Sequence, residues 1–300
     1  MVSKGMQRVI KLLKQRAEVD IHTRVVQSRE GLDQLAILVT LPKDVTIESI
    51  NINDLPANWI STPESNPDKV ILYLHGGGYI SGSLISHQDL VMRIGRASNS
   101  KVLLIDYRLA PEHPFPAALE DSIMVYKWLI TEKNISPKNI VIAGDSAGGG
   151  LTLCTLMKLR DENIPKPAAA VCLSPWTDLA ITGNSIKKNY KIDPWLKPSE
   201  LYFMAELYIG DNDPENPYIS PLYGNFNSLP PILIHVGSHE ILLDDATRIA
   251  AKAKNEGVDT TIEVWDEMLH VFQAFADWAP EGQKAINKIG QYIQLKLDLK

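Results

Sequence analysis

Short runs of almost uninterrupted apolar residues recur along the chain, and helix-like segments separate them. Runs of this kind are typical of strands that a parallel sheet buries on both faces. Because strand and helix patterns alternate, the order predicts βαβ units and an open, mostly parallel central sheet flanked by helices. The 300 residues fit one large α/β domain. The predicted strands are 45–52, 69–74, 102–105, 140–143, 169–173, 232–236 and 261–265, and the predicted helices are 88–97, 117–131, 147–160 and 246–256.

Two stretches do not follow this alternation. The first reaches from the N-terminus to about Pro42, and the second covers residues 179–213, which carry several aromatic residues but no strand-like run. We expect both to form a helical cap over one edge of the sheet. The predicted division is therefore a core of residues 43–178 and 214–300 and a cap of residues 1–42 and 179–213.

The first 20 residues predict an amphipathic helix. Met6, Val9, Ile10, Leu13 and Ala17 recur at helical spacing, and basic residues occupy the opposite face. Such a helix either packs on the protein's own surface or lies on a lipid interface, where basic amphipathic helices bind. The segment has no apolar run long enough for a signal peptide or a membrane span, so we expect a cytoplasmic protein without stable membrane insertion.

Charge and cysteine usage exclude further classes of protein. The net charge of −6 and the absence of a basic face argue against a nucleic-acid partner. The two cysteines, Cys154 and Cys172, lie in apolar stretches. Because free cysteines are commonly buried, we expect both to be reduced core residues.

A G-x-S-x-G motif, GDSAG at residues 144–148, follows directly on a predicted strand and opens a predicted helix. This strand–turn–helix context is typical of the nucleophile elbow of the α/β-hydrolase fold. The sharp turn needs small neighbours, because strand and helix approach closely at Gly144 and Gly148. The motif therefore predicts Ser146 as a nucleophile at the carboxyl end of the sheet.

A glycine-rich loop, HGGGY at residues 75–79, follows the predicted strand 69–74. Glycines let the backbone approach a ligand and direct N–H groups at it. Together with a downstream G-x-S-x-G, such a loop supplies donors to an oxyanion. We expect these donors to be the N–H groups of Gly77, Gly78 and Ala147, and we expect His75 to hold the loop rather than act as a base.

The base must follow Ser146 and the acid in the chain, because this fold orders the three groups as Ser, acid, His. Of the later histidines, His235 lies within a predicted strand, and His239 precedes the acid candidates. His270 lies in a loop after the last predicted strand, 261–265, which is the expected position. We therefore predict His270 as the general base.

The acid should follow the strand before that one, where Glu240, Asp244 and Asp245 are the candidates. Acidic residues are usual in the first turn of a helix, where they complement the helix dipole. That function would occupy Asp244 and Asp245, whereas Glu240 precedes the helix and is free to reach His270. We favour Glu240 and keep Asp244 as the alternative.

Together these residues resemble the bacterial hormone-sensitive-lipase-like esterases, often called esterase family IV. The resemblance extends from about Val45 to the C-terminus and is weaker in the cap. The middle motif is the most specific, and its Arg108, Glu112 and Asp121 offer ion-pair partners that would pin the loop. The motifs that carry the resemblance are HGGGY at 75–79, YRLAPEHPFPAALED at 107–121 and GDSAGG at 144–149.

The resemblance implies an α/β-hydrolase fold with a helical cap and a serine carboxylesterase that acts on short- to medium-chain acyl esters without a metal or organic cofactor. We also expect Tyr79 and Trp176 to bind substrate. Trp176 is placed near the site because it follows the predicted strand 169–173, and plain core is the alternative for it. The expected partner is a small-molecule ester, and a homodimer stays open. Many relatives carry D-P-L-R-D after the penultimate strand, and Glu240 stands where that pattern has its catalytic aspartate.

Two other functions share this set of motifs. An amidase or carbamate hydrolase would use the same three residues, because preference for the leaving group depends on the shape of the pocket. A small-molecule receptor on the same fold would have lost the catalytic histidine, and the histidine at position 270 argues against that function.

Overall fold

The computed structural model describes residues 2–15 and 24–298, and within them one eight-stranded sheet is covered by helices on both faces. The strands are β1 (Thr46–Ile52), β2 (Leu55–Ser61), β3 (Asn66–Leu74), β4 (Ser100–Ile105), β5 (Ile140–Asp145), β6 (Ala169–Leu173), β7 (Ile232–Gly237) and β8 (Thr260–Trp265). The helices are α1 (Lys4–Lys14), α2 (Arg24–Ile37), α3 (Gln88–Ser98), α4 (Ala117–Thr131), α5 (Ala147–Asp161), α6 (Asn184–Asn189), α7 (Pro198–Ile209), α8 (Leu243–Asn255) and α9 (Pro280–Asp298).

The sheet has the strand order β1-β2-β4-β3-β5-β6-β7-β8. The pairs β1–β2 and β2–β4 are antiparallel, and all the other pairs are parallel. The predicted mostly parallel sheet is therefore confirmed. Strand β2 is the one that the sequence pattern missed, since Pro56 and Asn58 interrupt its apolar residues. It pairs with β1 through a hairpin whose turn residues, Asn53 and Asp54, both have positive φ, as a type I′ turn requires.

Each face of the sheet has its own apolar core, because side chains alternate along a strand. In β3, Val70, Leu72 and Leu74 pack with α4, α5 and α8 on one face. Ile71 and Tyr73 pack with α3 and α9 on the other face. Both cysteines are free and buried, as predicted.

Helix α1 packs on the protein's own surface, which was one of its two predicted interpretations. Met6, Val9 and Leu13 are buried in a cluster formed with Phe272 and Phe275 among others, close to the loop that carries the predicted base. Position 17 lies outside the described residues. None of the described helices combines the length and the apolar character that crossing a bilayer requires.

The other helices from the expected cap are α2, α6 and α7. Helix α2 has no fully buried side chain, in contrast to α1. Helix α7 buries Leu201, Ala205 and Tyr208 against the larger core. In the part of the chain that the structure describes, the two stretches therefore contain helices and connecting loops but no strand.

Two adjacent leucines of α1 provide a matched test of this packing. Leu13 is 5% exposed and Leu12 is 44% exposed. We expect Leu13→Ala to lower the free energy of unfolding by about 2–5 kcal/mol, the usual cost of truncating a buried leucine. Leu12→Ala should change it by less than about 1 kcal/mol. Urea unfolding measures both values, and equal effects would mean that α1 is not docked as described.

Candidate active site

Ser146 stands on a strained turn between β5 and α5. Its φ of 52° and ψ of −122° lie outside the regions that non-glycine residues normally occupy. A side chain on Gly144 would meet the Gly148 carbonyl oxygen at 2.3 Å, and one on Gly148 would meet the Leu74 carbonyl oxygen at 2.0 Å. The two glycines are therefore required by close approach, as the sequence predicted, and the turn raises Ser146 at the carboxyl edge of the sheet.

Ser146, His270 and Glu240 form one hydrogen-bonded chain. His270 Nε2 lies 3.0 Å from Ser146 Oγ, and His270 Nδ1 lies 2.7 Å from Glu240 Oε2. Because a carboxylate only accepts hydrogen bonds, Nδ1 carries the proton and Nε2 is left to accept from the serine hydroxyl. The structure thus brings together the three residues that the sequence singled out.

The carboxylate of Glu240 is fully buried and held from a second side. Its Oε1 accepts hydrogen bonds from Ser174 Oγ at 2.8 Å and from the Gly237 N–H at 2.7 Å. Ser174 Oγ also accepts the N–H of Val271, the neighbour of His270, at 3.1 Å. Sequence reasoning missed Ser174, although its position directly after β6 places it at the same edge of the sheet.

The pKa of His270 reflects two opposing effects. Burial lowers it, but the charge of Glu240 and the hydrogen bond to it raise it, with smaller contributions from Asp193 and Asp145. The balance leaves the pKa of His270 above its ordinary value. His270 is therefore neutral, and able to take a proton, mainly at pH values above this raised pKa.

The carboxylate of Asp244, the alternative acid, has a hydrogen-bond partner other than His270. Its Oδ2 accepts the N–H of Ser185 at 3.0 Å. Asp245 accepts the N–H groups of Thr177 and Asp178 at 2.8 and 2.9 Å, and burial raises its pKa to about 8. We expected both carboxylates to serve their own helix. Instead they bind backbone N–H groups of other segments, and neither is bonded to His270.

The glycine-rich loop presents unused donors beside Ser146. In the described part of the chain, no hydrogen bond uses the amide N–H of Gly77, Gly78 or Ala147. Gly77 and Gly78 have φ of 119° and 64°, which glycine adopts most readily. These three N–H groups match the donors that the sequence predicted for an oxyanion.

His75 holds this loop from inside the core. Its Nδ1 donates to the Gly76 carbonyl oxygen at 2.8 Å, and its ring stacks on Tyr107 with 4.2 Å between the centroids. Burial lowers the pKa of His75 to about 3. It is therefore neutral at physiological pH and has the structural function that was expected.

Asp145, the residue before Ser146, ties the nucleophile turn to the glycine-rich loop. Its carboxylate accepts hydrogen bonds from the Gly76 N–H at 3.1 Å and the Tyr73 hydroxyl at 3.0 Å, and lies 3.3 Å from His87 Nε2. Burial raises its pKa, but the charge of His87 and these hydrogen bonds lower it more, to below its ordinary value. Sequence reasoning did not assign this contact.

Residues of the long motif at 107–121 form ion pairs both within the motif, where Arg108 binds Asp121 and Glu120, and with helix α2. Arg108 Nε and Nη2 both donate to the carboxylate of Asp121 at 2.7–3.0 Å, as expected for a loop that an ion pair holds in place. Glu112 binds Arg29 of α2 at 2.7 and 3.0 Å. The Arg29 guanidinium lowers the pKa of Glu112 to about 2. The motif therefore binds helix α2 in addition to stabilising its own loop.

Arg29 also reaches two backbone carbonyls near the glycine-rich loop. Its Nε donates to Ile80 at 2.8 Å and its Nη2 to Ala110 at 3.1 Å. One turn further along α2, Asp33 accepts a hydrogen bond from Ser83 Oγ at 2.5 Å. Polar contacts thus fasten α2 above the predicted oxyanion donors.

A cavity of about 710 Å³ opens onto Ser146 and His270. Trp176, Gly77 and Gly78 also line it. Tyr79 does not, because its buried ring stacks on Tyr208 of α7 with 3.7 Å between the centroids. The apolar part of the cavity wall includes Leu32, Leu35, Ala36, Leu196, Leu201, Phe203, Met204, Phe275 and Trp278.

Comparison with known proteins places the chain among esterases. Residues 71–274 match a protein family whose description is the α/β-hydrolase fold. An acetyl-hydrolase from Streptomyces hygroscopicus is 39% identical over 292 residues, which are 95% of this chain and 96% of the relative. An esterase from Acinetobacter venetianus is 34% identical over 90% of this chain and 89% of its own.

Solved structures agree in fold over almost the whole chain. An esterase from the bacterial hormone-sensitive lipase family is 41% identical and superposes with a TM-score of 0.95, covering 99% of each chain. A hormone-sensitive lipase from a metagenome library is 35% identical, with a TM-score of 0.93 over 99% of this chain and 100% of its own. The chain has the α/β-hydrolase fold, and it belongs to the bacterial hormone-sensitive-lipase-like esterases, which are carboxylic ester hydrolases.

Proposed function

We propose that the protein is a carboxylesterase that hydrolyses short- to medium-chain acyl esters through Ser146, His270 and Glu240. The observation that carries this proposal is the hydrogen-bonded chain of these three residues, which ends in a largely apolar cavity. The unused N–H groups of the glycine-rich loop support it, since a developing oxyanion needs such donors.

In this mechanism, Ser146 Oγ attacks the carbonyl carbon of the ester while His270 Nε2 takes its proton. Glu240 stabilises the imidazolium and keeps its tautomer. The N–H groups of Gly77 and Gly78, in the glycine-rich loop, and of Ala147 stabilise the negative charge on the former carbonyl oxygen. His270 then protonates the leaving alcohol, which departs and leaves an acyl-enzyme. A water molecule, deprotonated by His270, attacks the acyl carbon and releases the acid and Ser146.

The size and lining of the cavity support the substrate class. A volume of about 710 Å³ is within the range of small-molecule sites, and most of its wall is apolar. Trp176 is the proposed substrate contact in this wall. The relative named acetyl-hydrolase agrees with a small acyl group.

We also propose that residues 1–42 and 179–213 act as a cap that shapes the acyl site above a catalytic core of residues 43–178 and 214–300.

The test is hydrolysis of 4-nitrophenyl esters of increasing acyl length beside the matched 4-nitroanilides. We expect activity to peak at short to medium chains and to be far lower on the anilides. Ser146→Ala should lower kcat by roughly 10³-fold or more, as in other knockouts of a nucleophile. A variant that kept about a tenth of the wild-type rate would exclude Ser146 as the nucleophile, and a preference for anilides would identify an amidase.

The raised pKa of His270 predicts the pH dependence of the reaction. Below that pKa the imidazole is protonated and cannot accept the proton of Ser146, so kcat/KM should fall as the pH falls. The midpoint of this fall should lie above about 6.5, the ordinary value for histidine. Rates across the pH range with one 4-nitrophenyl ester measure it. A midpoint well below the ordinary value would contradict the assignment.

The choice of acid is tested by a pair of isosteric variants. In Glu240→Gln the amide offers a donor where His270 needs an acceptor, which in a comparable triad costs about 10⁴ in kcat. Asp244→Asn should retain activity within a few-fold and lower stability by about 1 kcal/mol, because it weakens only the bond from Ser185. Measured kcat and melting temperature separate the two. An inactive Asp244→Asn beside an active Glu240→Gln would reverse the assignment.

A further inference from the structure

Asp193, in the cap loop between α6 and α7, connects two parts of the active site. It is 8% exposed. Its Oδ1 accepts the N–H groups of Trp195 at 2.8 Å and Leu196 at 3.0 Å, and its Oδ2 accepts the N–H of Ile241 at 2.8 Å. One carboxylate therefore holds backbone from the cap on one side and from the catalytic core on the other.

The groups on its two sides matter for the reaction. Trp195 and Leu196 line the cavity, and the ring of Trp195 stands edge-on to the ring of His270 with 6.1 Å between the centroids. Ile241 directly follows Glu240, whose carboxylate binds His270. Any shift of Asp193 would thus move both the wall of the cavity and the residue that orients the base.

Neighbouring cap residues hold the same loop. Asn189 Nδ2 donates to the carbonyl oxygens of Glu240 at 2.9 Å and Ser238 at 3.2 Å. Ser185 Oγ donates to the carbonyl oxygen of Ile241 at 2.6 Å. The backbone that carries Glu240 is therefore fixed from the cap, while the Glu240 side chain is fixed from the ends of β6 and β7.

We propose that Asp193 is a positioning residue that sets the place of Glu240 relative to His270 and couples it to the Trp195–Leu196 wall of the cavity. This inference rests on the proposed function, because the proposed function is what makes Glu240 the catalytic acid. A cap that only covered the substrate would not need hydrogen bonds to the loop of the acid.

Electrostatics gives this position a signature that a purely structural residue lacks. Three carboxylates act on His270, namely Glu240 from the loop after β7, Asp193 from the cap and Asp145 from the nucleophile turn, and each favours the charged imidazolium. Removal of the Asp193 charge should therefore lower the pKa of His270. The acid limb of the kcat/KM profile should then move to lower pH.

Asp193→Asn is the variant that tests the proposal. In either orientation its amide group places N–H donors against a backbone N–H, so it releases either the cavity wall or the acid loop. We expect kcat to fall by about 10- to 100-fold, the scale of a small misplacement of catalytic groups. KM should change less, and the acid limb should shift to lower pH. Asp213→Asn is the matched control, because Asp213 also accepts a backbone N–H, that of Glu215, but at an exposed site.

The measurements are kcat and KM on 4-nitrophenyl butyrate and, independently, the pH dependence of the rate at which a fluorophosphonate labels Ser146. The labelling rate reports the protonation state of His270 even if the wild type hydrolyses no ester. The absence of ester hydrolysis would contradict only the proposed function. The proposal is overturned if Asp193→Asn matches Asp213→Asn, or if it loses activity only in proportion to its folded fraction, with the acid limb unmoved.

Asp193→Glu decides the question should Asp193→Asn not fold. This variant keeps the charge and both acceptor oxygens but lengthens the side chain by one methylene, so it displaces the backbone N–H groups that Asp193 holds. A loss of roughly tenfold in kcat or in labelling rate, with the acid limb in place, would support positioning by Asp193. Wild-type kinetics in Asp193→Glu would overturn it.

Discussion

Glu240 carries its carboxylate in a fully buried position, and the geometry of the active site follows from how that charge is satisfied. A buried carboxylate without partners would cost several kcal/mol or would take up a proton. Here one oxygen accepts from Ser174 and Gly237 and the other from His270, so the hydrogen bonds that offset burial also orient the imidazole. The burial of Glu240 and the orientation of the His270 ring therefore depend on the same bonds.

The parallel sheet brings these groups together. Strands β3, β5, β6, β7 and β8 are adjacent and end at one edge, so the loops that follow them meet there. Those loops carry the glycine-rich segment, Ser146, Ser174, Glu240 and His270, in the order of the strands. Residues far apart in the chain thus become neighbours because the strands that precede them are neighbours in the sheet.

This dependence on strand ends explains what could be predicted from the sequence. Ser146 and the glycine-rich loop have local signals, because each follows an apolar strand and uses glycines that the turn requires. Glu240 and His270 were predicted from chain order and from position relative to strands. Strand β2 was missed because its apolar pattern is broken, and its only local signal is the Asn53–Asp54 turn.

The contacts that escaped prediction are long-range and polar. Ser174 binds Glu240 across 66 residues, and Arg29 binds Glu112 across 83. Asp193 binds Ile241 across 48 residues. The residues flanking Ser174, Arg29 and Asp193 do not identify the partners that these side chains bind. Their partners are defined only once the sheet has folded and the cap helices lie against it.

Helices α1 and α2, both in the proposed cap, are attached to the rest of the protein in different ways. Helix α1 is held by apolar burial, whereas α2 has no fully buried side chain and combines the polar contacts of Arg29 and Asp33 with the partly buried Val25. Exposed ion pairs contribute little to the free energy of folding. The bidentate contact of Arg29 with Glu112 therefore determines the position of α2 more than it stabilises the helix.

Polar contacts from the proposed cap reach two different loops of the candidate site. Arg29 binds backbone carbonyls at Ile80 and Ala110, beside the glycine-rich loop, and Asp193 binds the backbone N–H after Glu240. The strand ends and the proposed cap segments thus both hold the glycine-rich loop and the loop of Glu240. Because residues of α2, α7 and the loop between α6 and α7 also line the cavity, these contacts position the cavity wall together with the candidate catalytic groups.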